Sequence, residues 1–540
     1  MRFVELSTFV ILAFTIPAVA QSPSVSGQVS GRSGIPAAGQ TQQLPKPCLV
    51  PEHPSEQITG LLETIRDHPT AGAYNTLGAL YAQDRRTTCA VAAFKSALRL
   101  EPENWQAHYN LGLALLTKGD RSRAASEFQA AILQKPDSVA PHFALGTLLQ
   151  EAGKLDGAAK EFETALQNDP NFAPAQFSLA VLYTQQGKDS EAAPLFRQAI
   201  QNDPNNVQAH VNLGLTMARL GDFSEAKQEF RSAIQIDPKN ATAYTSLGML
   251  KAKTGRGGEA VASFRKVVAL QPDSAEAHLN LGIALVDKYD RTGGFKEFKQ
   301  AARLNPTSPR VHYNLGRFFF EAGRYEEARK QLETAVGLQP DFAGALYFLA
   351  LTERQDNRME QATNLLLKLV ALEPGNADAQ YLLGRNLEHA GKTSEAIEHW
   401  KLALQADPNQ SEALYNLARA LNKLQDPEAQ KYQDQFDASQ RNQQTTDRVG
   451  QLGNFAIQAA NAQNWPQALA QMKEAIALCG QCREAAHLHS NLGLMYCRTG
   501  NLIDGEVELR TALEFNPNDV EAKKAIAVLQ NLKGTEVKKN

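Results

Sequence analysis

The feature that most constrains this chain is a proline every 34 residues, at Pro102, Pro136, Pro170, Pro204, Pro238, Pro272, Pro306, Pro340, Pro374 and Pro408. With proline near 5% of ordinary sequence, ten such hits arise by chance with a probability on the order of 10⁻¹³. A period of this length means one supersecondary unit, stacked many times.

Other residues keep the same register. Small residues stand at Gly78, Gly112, Gly146, Ala180, Gly214, Gly248, Gly282, Gly316, Ala350 and Gly384. A second small residue follows each by twelve positions, as at Ala90, Ala124, Ala158 and Ala396. Two helices approach to about 8 Å only where the crossing side chains are small, so the two ladders mark a helix crossing. Between them, Gly119, Gly153, Gly187, Gly221, Gly255, Gly323, Gly391 and Asn357 suit a left-handed helix end. Large apolar residues from Phe94 and Phe128 through Leu332 and Leu366 to Trp400 fill the second helix. Each proline closes its unit, because it lacks the N–H a continuing helix needs.

These offsets of Leu-Gly, Ala, aromatic, Ala and Pro, seen in Trp105–Ser138 and Val207–Asn240, resemble the tetratricopeptide repeat. The resemblance implies an all-α, right-handed α-solenoid of antiparallel helix pairs, with the first helix of each pair lining a concave groove. Ten regular units are expected over 71–410, one degenerate unit over 411–448 and two diverged units over 449–519. Capping helices are expected at 54–70 and 520–533, followed by a tail over 534–540, since terminal units need a polar outer face.

The first twenty residues read as a secretory signal, with Arg2, an apolar run from Phe9 to Ile16 and cleavage after Ala20. The run is short for a bilayer span, and a retained anchor is the lesser reading. The signal points to a periplasmic or secreted protein without stable membrane insertion. Residues 21–53, rich in Ser, Gly, Gln and Pro, read as a flexible leader. A net charge of −3 gives no electrostatic reason to expect nucleic acid.

In the degenerate unit, Gln430, Asp434 and Asp437 fall where apolar or small residues are due. Such groups do not face a core unpaired, but Tyr432 and Phe436 lie four apart and keep a narrow apolar stripe, so a long, largely exposed helix is expected from about Pro427 to Thr446, with a disordered linker as the alternative.

The candidate binding residues lie on the first helices. Asn110, Asn212, Asn280, Asn314, Asn416 and Asn491 share one position, and Tyr109, Phe143, Phe177, Tyr313, Tyr347, Tyr381 and Tyr415 share the position before it. An amide both donates to and accepts from a peptide backbone, and aromatic faces add apolar contact. Similar asparagine ladders line the repeat arms of O-linked N-acetylglucosamine transferases, but asparagine also serves the helix pair itself in ordinary repeats of this kind.

His108, His142, His210, His278 and His312 share a position too. Equivalent atoms in successive repeats are about 10 Å apart, whereas zinc ligands converge at about 2 Å from one ion, so these are read as packing residues and no metal site is assigned. Cys479 and Cys482 are expected to pair, with a zinc site using His487 or His489 as the alternative, and Cys48 is a candidate partner for Cys89. No cofactor is expected. The sequence thus reads as a non-catalytic scaffold for extended peptides or partner proteins. The alternatives are the substrate-recognition arm of a glycosyltransferase and an assembly factor or chaperone for envelope proteins.

Overall fold

The computed structural model describes Leu44, Pro45, Cys48 and residues 55–537, with side chains through 530. The expected signal segment, most of the leader and the last tail residues lie outside these. Every regular element among the described residues is helical. The chain divides into two compact units, 1–221 and 222–540.

In the first unit a single helix, Glu56–Asp67, precedes the pairs Ala71–Gln83 with Thr87–Leu100, Trp105–Thr117 with Arg121–Gln134, Val139–Glu151 with Leu155–Asn168, and Ala173–Gln185 with Asp189–Asn202. Val207–Leu220 ends the unit. The first member of each pair is called helix A below, the second helix B. Asn104 and Asn206 start their A helices by accepting the amides of Ala107 and Ala209 at 3.0 Å. Such a cap satisfies one of the amides a helix start leaves open.

The small-residue ladder has a sharper cause than a generic crossing. A Cβ built on Gly112 would lie 2.5 Å from the Phe128 ring, and one on Gly78 would lie 2.5 Å from that of Phe94. Glycine is therefore the seat of the helix B ring. Phe94, Phe128 and Phe162 are each almost wholly buried, and each contributes about 1.5–3 kcal/mol by leaving water.

The start of this unit corrects part of the flexible-leader expectation. Leu44 and Cys48 are buried, Cys48 is bonded to Cys89, and the Tyr81 hydroxyl donates to the Cys48 carbonyl. Although polar residues surround it, this stretch carries one apolar anchor and one covalent one.

The second unit repeats the same construction. Gly282 and Gly294 face each other, so that a Cβ on Gly294 would sit 2.9 Å from the Gly282 carbonyl oxygen. Arg329, on the B helix Tyr325–Leu338, is almost wholly buried and meets Glu326, Glu353 and Asp356. Burial works against its charge, but bonds and charges from Glu326 and Glu353 outweigh it and raise Arg329 above its ordinary range.

After the pair Ala377–His389 and Thr393–Ala406, helix Ser411–Lys423 is followed by one continuous helix, Ala429–Asn461. The expected end near Thr446 is therefore absent. Its physical reason is visible at the repeat register, where Asn442 stands 34 residues after Pro408. With neither proline nor a left-handed residue to stop it, the second helix of the degenerate unit runs into the first helix of the next. Ala418 and Ala456, equivalent small residues, are consequently 38 apart, four more than the repeat and about one helical turn. Residues 441–448 of this helix are exposed throughout. The pairing pattern then resumes with Trp465–Cys479, Ala485–Arg498 and Leu502–Phe515, and a final helix runs from Val520 to Val537. No helix among the described residues is long and apolar enough to cross a membrane.

Candidate partner-binding face and cleft

The shared histidine position is a repeated internal brace. His108 donates through Nε2 to the Pro102 carbonyl at 2.9 Å, while its Nδ1 lies 2.6 Å from Glu127 on helix B. His142 with Pro136 and Glu161, and His278 with Pro272 and Glu297, repeat both distances. His312 meets Gln331 instead, and His210 reaches Pro204 at 3.2 Å. Where glutamine replaces the histidine, the chemistry is exchanged: Gln380 donates to the Pro374 carbonyl and its Oε1 lies 2.7 Å from His399 on helix B. This brace ties the closing turn to both helices. The sequence signal was a glutamate or glutamine nineteen residues after each histidine.

Cys479 and Cys482 are joined to each other, and His489 faces Glu508 at 2.6 Å, so the alternative zinc set is not assembled. Among the described residues no three His, Cys, Asp or Glu side chains converge to hold a metal ion.

The asparagine ladder divides. Asn280 and Asn314 are buried; Asn314 donates to the Arg310 carbonyl of its own helix at 2.8 Å, and Asn280 reaches Glu276 at 3.5 Å. These two are bonded within their own helix and have little open surface. Asn110, Asn212 and Asn416 keep partial exposure, with Asn110 bonded to Asn75 at 3.1 Å and Asn416 to the Glu412 carbonyl at 2.7 Å.

The aromatic ladder also does two jobs. Tyr109, Phe143 and Phe177 each lie 5.7–5.9 Å from the helix B ring of their own repeat, Phe128, Phe162 and Phe196. Tyr313 packs on Phe342 and Phe348, and Tyr347 on Phe348. Half-buried as they are, these rings cement the pairs, and burial raises the Tyr109 hydroxyl above its ordinary pKa. Tyr415 differs. At the helix B position that should cover it stands Asp434, so Tyr415 is 47% exposed and meets Phe436 of the long helix at 5.5 Å.

That missing ring opens a cleft of about 670 Å³, with Tyr381, Arg385, Tyr415, Asn416, Arg419 and Phe436 in its walls. The long helix is held against it by Lys401 on Glu428 at 2.8 Å and by Ser411 on Ser439 at 2.8 Å. The sequence reading missed Arg385 and Arg419, and placed Phe436 on the apolar stripe of the long helix but not among the binding residues. Arg317, Arg385 and Arg419 occupy one repeat position, a signal present in the sequence; Phe436 has no register to reveal it. Arg317 is paired with Glu321 at 3.2 Å. Beside the cleft, Arg354 donates to the Leu382 carbonyl at 3.2 Å, and burial first, then the charge of Arg385, lowers it from its ordinary range. The Arg385 guanidinium stands 5.9 Å from the centre of the Tyr381 ring.

Models of the tetratricopeptide repeat match residues 64–140, 143–207, 245–309, 349–411 and 381–434, and a second model of the same repeat matches 186–254 and 289–352. No curated protein matches the chain. Among solved structures, YrrB, a tetratricopeptide repeat protein described as having an unusual peptide-binding site, is 23% identical over 35% of this chain and 96% of its own, with a TM-score of 0.32. PilF of Pseudomonas aeruginosa is 22% identical over 39% and 96%, with a TM-score of 0.35. The Cut9–Hcn1 hetero-tetramer of APC/C aligns over 88% and 99% at 13% identity, also with a TM-score of 0.35.

Proposed function

Because the chain belongs to the tetratricopeptide repeat family, we propose that it is a protein-interaction scaffold that holds extended segments of partner proteins along its A helices, with the cleft at Tyr381 and Tyr415 as the anchor point. The observation that carries this reading is Tyr415, the ring of its ladder left most open, at 47%, because its own repeat has Asp434 where the others carry the covering side chain. An exposed aromatic flanked by an amide and two arginines offers apolar contact together with backbone hydrogen bonding, which suits an extended peptide. The work is binding rather than catalysis, since the repeats position surfaces and not a reacting group. The apolar run at 9–16, with small residues before position 21, supports a setting in the periplasm or outside the cell.

The test is capture of partners from an envelope fraction by the wild-type chain and by a variant with Tyr415→Ala and Asn416→Ala. Both side chains are partly open to solvent, so the variant keeps its fold. Partner recovery is expected to fall several-fold. Undiminished recovery of the same partners would sink the proposal.

A further inference from the structure

The cleft has a polar feature that apolar docking does not explain. Arg354 is fixed against helix Ala377–His389 by its bond to the Leu382 carbonyl. Arg385 lies three residues beyond Leu382 on that helix, about one turn from the carbonyl that holds Arg354, and its charge reaches the Arg354 guanidinium. Among the described residues neither arginine has a carboxylate within ion-pairing distance, whereas Arg310 and Arg317 are paired with Glu276 at 2.7 Å and Glu321 at 3.2 Å. Two like charges set together, one half-buried, cost free energy that a bound anion would recover. The downward shift of Arg354 by burial and by Arg385 fits such a repulsion. Glu388 and Glu412 also line the cleft. Its net charge is accordingly small, and any preference for an anion comes from where Arg354 and Arg385 stand.

We infer that Arg354 and Arg385 form a subsite for one acidic side chain of an internal partner segment, whose neighbouring apolar residue packs on Tyr415 and Phe436. This rests on the reading of the cleft as a peptide anchor and names the chemistry it selects. An internal carboxylate rather than a chain end fits, because ladder aromatics lie on both sides of the arginine pair, Tyr347 on one helix and Tyr415 on another, and a chain crossing the site passes both. Guanidinium forks match carboxylates bidentately, and the apolar neighbour supplies the surface that a lone ion pair in water lacks.

The full chain would be used to select from two random peptide libraries, one with both peptide ends fused into a carrier loop and one with free C-termini. Selection from the loop library should enrich Asp or Glu beside an aromatic or aliphatic residue. The affinity of enriched peptides should drop about tenfold on changing their acid to its amide, and equally on Arg385→Gln, the loss of one charge-assisted pair. Arg354→Lys, which keeps the charge but removes the fork, should weaken binding less. Arg385 is exposed, and its loss relieves repulsion, so the thermal midpoint of Arg385→Gln should hold or rise, which separates lost binding from lost folding. Enrichment without acidic residues, enrichment of acids only at free C-termini, equal binding by Arg385→Gln, or no enrichment at all would overturn the inference. If selected peptides are not acidic but lose binding on Tyr415→Ala, the scaffold reading stands and only the acidic subsite falls.

Discussion

Two neighbouring stretches of the second unit show what the 34-residue register does. In the pair Ala377–His389 and Thr393–Ala406, Trp400 is 1% exposed and donates through Nε1 to the Tyr381 carbonyl at 3.2 Å, and its ring covers Gly384 at a distance no Cβ could share. In the next repeat, Asp434 replaces the ring and Asn442 replaces the proline. The result is an open Tyr415, a cleft, and a helix that does not stop until Asn461. The first stretch uses its aromatic residues to close itself; the second leaves them available. Loss of the register is thus what converts a packing surface into an open one.

The comparison breaks most easily at the rings. Trp400→Ala should cost about 3–5 kcal/mol, read as a lower denaturation midpoint. Phe436→Ala in the long helix should cost less than about 1 kcal/mol, as for a partly exposed contact, while weakening partner binding. Equal losses for the two would mean that the long helix is as much a core element as the regular pair.

The glycines sharpen the same contrast. A Cβ at position 384 would meet the Trp400 ring at 2.5 Å, whereas at position 450 it would meet nothing within 4 Å. Gly384→Ala should therefore destabilise by about 1–3 kcal/mol through overpacking. Gly450→Ala should stabilise by about 1 kcal/mol, the helix propensity gained in an exposed interior. Thermal unfolding of the two variants gives opposite signs if this account holds.

A smaller effect belongs to Tyr289, which takes the left-handed turn position with a φ of 65° and is 94% exposed. Tyr289→Gly should add about 1 kcal/mol by relieving the strain of a side chain in that region. Limited proteolysis adds a kinetic view: cleavage should begin within the bare helical stretch 441–448, at Arg441 or Arg448, before any turn of the regular pairs. First cuts elsewhere would show that this stretch is packed in solution.

Much of this was legible in the residues because each repeat states the same requirement many times over. The glycine seats, the closing prolines and the left-handed turns at Gly119 and Asn357 all follow from register. The candidate site was legible only in part. Asn280 and Asn314 share a position with Asn416, yet the first two are buried while Asn416 keeps partial exposure. Phe436 belongs to a repeat that has lost its register, so no ladder pointed to it. The long helix was foreseen, but its end was not, because nothing local stops a helix and the stop had to be inferred from a repeat boundary no longer encoded.

The central claim is that the open place in this scaffold lies where the repeat breaks. A photo-crosslinking aromatic residue placed at position 415, and separately at position 133, where Leu133 is 77% exposed on a regular B helix, tests it most directly in an envelope extract. The account predicts discrete crosslinked partners from position 415 that disappear with Tyr381→Ala, and none from position 133. Discrete partners from position 133 with none from 415 would contradict it.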